Sequence, residues 1–332
     1  MMTSLSKSFV AGLAFISGRH TGSRMKSNIV LSAAKKSLTR SLSTISTAED
    51  NMAHVRKRVE LRADEMIAGL QSKGWVTIDN FLGPDVCTVY RSEAVGFYTR
   101  DEMTISKSTR WDSKTNSVVT YEKHNVFATQ LNGGDSYYDG PRLHEYVVSL
   151  VKSLVPIISI RFPEACLDPL MASNKLAVCT GDGSYYDKHY DNSGGDDLRK
   201  LTVLYYLNPK WRKDMGGAFR IYESKESSTS GLSTSLPNNN DFNENPLETS
   251  VISYKDSFDI DKAGMNIETT DISPLGDRLL VFWSDRIVHS VQPSQVNIFT
   301  FPNPLRGSIN IIPYTNFNYS VTSFEMIFSR NL

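Results

Sequence analysis

The chain has 332 residues, enough for one large domain or two modest ones and for a substantial buried core. Its 36 basic and 36 acidic residues cancel, which removes any global charge argument for nucleic acid or an anionic membrane as partner. Three cysteines, Cys87, Cys166 and Cys179, are too few and too scattered for a disulfide framework or a CxxC site, and they fit a reduced interior.

Residues 1–48 differ from the rest. Lys7, Arg19, Arg24, Lys26, Lys35, Lys36 and Arg40 stand among abundant Ser and Thr, and the first acid is Glu49. This is the composition of an organelle transit peptide for a mitochondrion or plastid. The apolar patch "FVAGLAFISG" is also compatible with a secretory signal, and a disordered tail on a cytoplasmic protein is the third reading. No later run approaches the roughly 20 consecutive apolar residues that span a bilayer, so no membrane span is expected.

Apolar positions at Met52, Val55, Val59, Met66, Ile67 and Leu70 predict one amphipathic helix over 51–72, ending before Gly74. "WVTID" then alternates as a strand does. After Gly83, Pro84 opens a second helix with Val86, Val89, Tyr90 and Phe97 on one face, and a third is expected from Pro141 to Leu154. Between them, Asp101–Gln130, with Arg110, Trp111 and Tyr121, reads as a polar connector or a mobile loop. Helices dominate this first half.

Beyond Pro169 the texture changes to short β-rich runs: "KLAVCT", "KLTVLYYLN", "GAFRIY", "RLLVFW", "IVHSVQ" and "GSINIIPYT". Many short strands at close spacing predict a sandwich or jelly roll, with the preceding helices packed on one sheet. The fold class expected is therefore α+β. Residues 224–270 are polar and read as a long insertion, with a short hairpin near "TSVISY". The resulting division is a targeting segment (1–48) and one domain (49–332), with helical support at 50–156, a jelly-roll core at 170–320 and the insertion inside it.

Of six histidines, His20, His54, His124 and His144 fall in the targeting segment, on helices or in a polar loop. His189 and His289 instead sit on β-rich segments. In "HYDNSGG" the pair His189 and Asp191 can share one face at a strand end, because alternate residues point the same way. His289, in "RIVHSVQPS", is the candidate third ligand. Two imidazoles and one carboxylate on one face of an octahedral ion leave the other face open, as non-haem Fe(II) requires for a cosubstrate and oxygen. Zinc is the competing metal, although neither HExxH nor Cys-rich spacing occurs. A 2-oxo acid on the open face needs a cation for its far carboxylate, and Arg306, opening "RGSINIIPYT", is the candidate; read singly it is a surface arginine after a turn.

From Lys175 to Ile312 the chain resembles 2-oxoglutarate and Fe(II)-dependent dioxygenases of the prolyl 4-hydroxylase family, above all those acting on hypoxia-inducible factor. The matching residues are "LAVC", "HYDNSGGDD", "TVLYYLNPKW", "GGAFRIY", "RLLVFWSDR", "HSVQP" and "RGSINI", in family order, and "KGWVTIDNFLG" resembles the family's entry strand. The resemblance implies a double-stranded β-helix, with His189, Asp191 and His289 as iron ligands and Arg306 as carboxylate anchor. It further implies that Tyr206 donates its hydroxyl to the same carboxylate; otherwise Tyr206 is a half-buried strand aromatic.

The implied reaction consumes 2-oxoglutarate and O2, releases succinate and CO2, and hydroxylates a prolyl residue in a protein or peptide, with ascorbate as supporting reductant. In location, Asp101–Gln130 corresponds to a loop that closes over peptide. There are departures: "QVNIFTFPN" lengthens the path from His289 to Arg306, Thr180 replaces a tyrosine that contacts the cosubstrate, and Ile312 replaces a nearby tryptophan. Two other readings remain, the same chemistry on a free amino acid or small metabolite, and a non-catalytic binding module.

Overall fold

The structure, a computed structural model, describes residues 45–112, 114–192, 194, 196–224, 267–295 and 321–330. It begins with α1 (Ala48–Leu61) and α2 (Ala63–Ser72), two helices where the periodicity predicts one. The break is Arg62, whose backbone (φ −105°, ψ 6°) leaves the helical region. Thr47 starts α1 with a capping box: its hydroxyl accepts from the Asp50 amide at 3.0 Å, and the Asp50 carboxylate accepts from the Thr47 amide at 3.1 Å.

β1 (Trp75–Ile78), α3 (Pro84–Thr99) and α4 (Pro141–Arg161) follow the expected order, although α4 continues through Pro156 for two turns beyond the expected end. In average hydropathy α4 is apolar enough to cross a membrane, a length that no run of consecutive apolar residues suggests. Here it is a core helix, burying Leu143, Tyr146, Leu150, Leu154 and Ile158. The largest departure lies between α3 and α4. The supposed connector forms a hairpin, β2 (Thr104–Asp112) and β3 (Ser117–Thr129), since β3 finds a partner in the distant β4 (Leu167–Cys179). Partner strands from elsewhere in the chain outweigh local polarity.

The remaining strands are β5 (Ser184–His189), β6 (Arg199–Tyr206), β7 (Phe219–Ser224), β8 (Ile267–Ile272), β9 (Leu279–Trp283), β10 (Val288–Ser294) and β11 (Val321–Arg330). Two antiparallel sheets result, of order β1-β9-β6-β11-β4-β3-β2 and β5-β10-β7-β8. β8 includes 267–270, the last residues assigned to the insertion; the rest of that insertion, "TSVISY" and "GSINIIPYT" lie outside the described residues.

The seven-stranded sheet is covered on both faces, which is why β6 and β9 read as unbroken apolar runs. Leu201, Val203, Tyr205, Leu279, Val281 and Trp283 pack in the core that also holds α1–α4. Their alternates, Leu204, Tyr206, Leu280 and Phe282, face the second sheet with Phe219 and Ile221.

Two carboxylates tie the helical layer down. Asp277 accepts from the amides of Leu82 (2.7 Å) and Gly83 (2.8 Å) and from the Tyr205 hydroxyl (2.8 Å), fixing the chain where it enters α3. Glu93 on α3 accepts from the Arg142 and Leu143 amides at 3.1 and 2.9 Å, capping α4. Burial pushes the Glu93 carboxyl up to about 7, against the lowering effect of those amides and Arg142.

Between the unfolded value of about 4.5 and about 7, the folded chain keeps a proton that the unfolded chain has released, so this group's contribution to stability falls as pH rises through that window. At the partly buried site the loss is about 1–2 kcal/mol. Glu93→Gln removes it, so in urea unfolding the variant should gain on the native chain by that amount between pH 5 and pH 7.5. A pH-independent difference would refute the assignment.

Candidate metal centre

His189 ends β5 and His289 is the second residue of β10, and the antiparallel register sets the two directly opposite each other. Their rings stand 4.4 Å apart. Asp191, two residues beyond His189, brings Oδ1 to 3.5 Å from His189 Nε2 and 3.7 Å from His289 Nε2. These three side chains form the only metal-competent group of His, Cys, Asp and Glu found among the described residues, with one donor atom from each within 4.8 Å of the others.

The backbone selects the tautomers. His189 Nδ1 is 2.7 Å from the Asp187 carbonyl and His289 Nδ1 is 3.1 Å from the Ile287 carbonyl, so each Nδ1–H donates to an oxygen and each Nε2 keeps its lone pair. His289 is only 4 % exposed, stacked on Phe219 at 4.6 Å and edge-on to Phe282 at 5.0 Å, whereas the His189 side chain is 30 % exposed. One ligand is anchored in the apolar core; the other lies at the mouth.

Burial, reinforced by repulsion from His189 and only partly opposed by Asp191, pushes His289 down to about 4. Its imidazole is therefore neutral at physiological pH, as a metal ligand must be. For Asp191, burial alone would favour the protonated form. The Thr202 hydroxyl, which donates to its outer oxygen, opposes that effect. The donor set is thus two imidazole nitrogens and one carboxylate oxygen, which fits a divalent transition metal of the iron or zinc kind.

Thr202 and Ser284 were not singled out in the sequence. Thr202 Oγ1 donates to Asp191 Oδ2 at 2.6 Å and lies 2.8 Å from Ser284 Oγ, so one carboxylate oxygen is held by the Thr202 hydroxyl while the other faces the histidines. The signal was available in strand parity: Thr202 stands on the same side of β6 as Leu204 and Tyr206. Beyond the site, the "NSGGDD" turn is pinned by Asn192, whose Nδ2 donates to the Asp197 and Arg199 carbonyls and whose Oδ1 accepts from the Gly194 amide.

Tyr206 is buried in the inter-sheet core, on the interior side of β6. Arg306 lies outside the described residues, as do His20 and Ile312. His54, His124 and His144 are hydrogen-bonded elsewhere, to the Leu82, Asp182 and Gly140 carbonyls.

Two packed antiparallel sheets with His, Asp and His brought together at a strand end define a class. Residues 175–301 match the model of the 2OG-Fe(II) oxygenase superfamily. It is similar to a hypoxia-inducible factor prolyl hydroxylase of Caenorhabditis elegans, 26% identical over 246 residues, which are 71% of this chain and 27% of that protein. It is also similar to the prolyl hydroxylase EGLN3 of Mus musculus, 24% identical over 240 residues, covering 71% of this chain and 79% of the relative. The chain thus spans about a quarter of the worm protein and about four-fifths of the mouse one. Among solved structures, a Trichoplax adhaerens prolyl hydroxylase in complex with a hypoxia-inducible factor oxygen degradation domain peptide superposes with a TM-score of 0.52 at 20% identity, over 82% of this chain and 91% of the other.

Removing the Thr202 hydroxyl frees Asp191 to turn and leaves its outer oxygen without a donor. Thr202→Val should weaken Co(II) affinity about 10-fold, read by calorimetric titration, with the melting temperature little changed. Unchanged affinity would mean that Asp191 is positioned by the backbone alone.

Proposed function

We propose that the protein is an Fe(II)- and 2-oxoglutarate-dependent dioxygenase that hydroxylates a prolyl residue in a protein or peptide. The observation that carries the chemistry is the His189, Asp191 and His289 cluster, with both Nε2 lone pairs free and both Nδ1–H groups occupied. In this reading those three residues hold the metal, and Tyr206 and Arg306 serve the far carboxylate of 2-oxoglutarate. Bound iron supplies the activation of O2 coupled to decarboxylation of the 2-oxo acid. One oxygen atom enters succinate and the other the substrate C–H bond, with CO2 released.

The chain's own part is orientation and exclusion. Phe219 and Phe282 keep water from His289, and Thr202 leaves a single Asp191 oxygen turned inward. The exposed His189 edge is the side on which substrate approaches. Support for proline comes from the relatives, whose names and peptide complex record prolyl hydroxylation. The β2–β3 hairpin touches the turn before β5, with His124 Nε2 3.2 Å from the Asp182 carbonyl, and it is the element we assign to peptide contact. Ascorbate is assigned the role of supporting reductant.

Purified protein incubated with Fe(II), 2-oxoglutarate, ascorbate and a proline-containing peptide library should add one oxygen to a subset of peptides, with succinate formed in step. His189→Ala should abolish both products along with iron binding. Oxygen incorporation confined to a parallel panel of free amino acids and metabolites would replace the substrate assignment, and none in either panel would reject the activity.

A further inference from the structure

The face of the large sheet that α4 covers is open beside β4. β3 pairs with β4 only from Leu176 to Cys179, so the first half of β4 has no strand on that side among the described residues. Between this half of β4 and α4 lies an open cleft of about 250 Å3. Val148 and Val151 of α4, Pro169 and Ala172 of β4 and Met326 of β11 supply its apolar lining. Asn174 also lines it, but both ends of its amide are taken by the Leu131 backbone, at 2.8 and 3.1 Å. Cavities of about 150 Å3 already hold a benzene ring, so this cleft has room for one or two aliphatic side chains.

A projection stands beside the cleft. Between the pairs Leu167–Arg330 and Ala172–Phe328, four residues of β4 oppose one of β11, so the strand bulges outward. Asp168 Oδ1 accepts from the Leu170 amide at 2.8 Å and turns the bulge. At its tip Leu170 is 90 % exposed, the highest value for a large apolar side chain among the described residues, and Met171 beside it is 45 % exposed. A single exposed apolar residue needs no explanation. Leu170, Met171 and Val148 around one apolar cleft do, because such patches mark contact surfaces.

Bulge and cleft match, but not within one chain. Leu170 projects into solvent although Pro169 and Ala172, on either side of the tip, line the cleft. A two-fold axis through this face lets each copy place its bulge in the other's cleft, since a two-fold contact joins the same patch to itself. The charges agree with that exchange. Lys152 in the cleft and Asp168 at the base of the bulge have no ion-pair partner among the described residues, and the exchange brings each Asp168 toward the Lys152 of the other copy. No other charged side chain among the described residues lines the cleft.

We propose that this face is the contact surface of a symmetric homodimer, in which Leu170 and Met171 of each chain occupy the α4–β4 cleft of the other. The metal cluster belongs to the second sheet, on the far side of the large sheet from α4, so the contact involves none of its ligands. The dimer is therefore independent of the dioxygenase reading.

Sedimentation velocity of the full chain from about 1 to about 200 µM should show a monomer–dimer equilibrium, because a contact this small supports micromolar affinity. Leu170→Asp should weaken it at least about 10-fold, with melting temperature and Co(II) affinity unchanged, and Met171→Lys should act in the same direction. Lys152→Glu alone and Asp168→Lys alone should each weaken it about 10-fold, since like charges then meet twice in every dimer. An equimolar mixture of these two variants should associate as the native chain does, because every pair in the mixed dimer is unlike. A chain that stays monomeric throughout, native affinity in Leu170→Asp, or a mixture that associates no better than either charge variant alone would overturn the proposal.

Discussion

The pairing of β5 with β10 is the constraint on which the rest depends. It puts His189 and His289 face to face with the Asp191 carboxylate beside both rings, and the Thr202 hydroxyl serves that carboxylate's outer oxygen. Shifting either strand by one residue would turn its histidine to the other face of the sheet and dissolve the site. The apolar residues around His289 therefore do two things: they hold the register, and they keep the ring unprotonated.

The larger sheet and the helices are the support for that pairing. Tyr205 shows the coupling: its ring lies in the helix-side core against Tyr90 and Tyr146, its hydroxyl reaches Asp277, and Asp277 secures the entry to α3. On the opposite side of the same strand, Thr202 orients Asp191. One strand thus transmits the rigidity of the helical layer to a ligand of the metal site, through backbone too short to flex independently. Buried charges in the molecule have partners: Glu93 and Asp277 each accept from several donors, Asp191 accepts from Thr202, and Lys123 lies over a ring.

Much of the site was legible because its chemistry is written in residue types that few other roles require. His189 and Asp191 stand at strand spacing, His289 follows a turn, and "TVLYYLN" and "RLLVFW" announce strands covered on both faces. The hairpin 104–129 was not legible. Thr104 to Thr129 carries mixed polar and apolar residues without clean alternation, and the segment becomes sheet because β4 offers an edge to pair with. The break at Arg62 was hidden for a related reason: the apolar stripe continues across it, and periodicity does not register a single non-helical residue.

By itself, the sequence determined the class of fold, the identity of the three metal-competent residues and the order of the strands that carry them, since these follow from patterning and from the scarcity of residues able to bind a metal. Only the tertiary structure decided which tautomer each histidine adopts, that Thr202, itself bonded to Ser284, orients Asp191, and that Lys123 is buried beside Tyr186. Those depend on which backbone carbonyls, hydroxyls and rings arrive from distant strands, and proximity of that kind exists only once the two sheets have closed on each other.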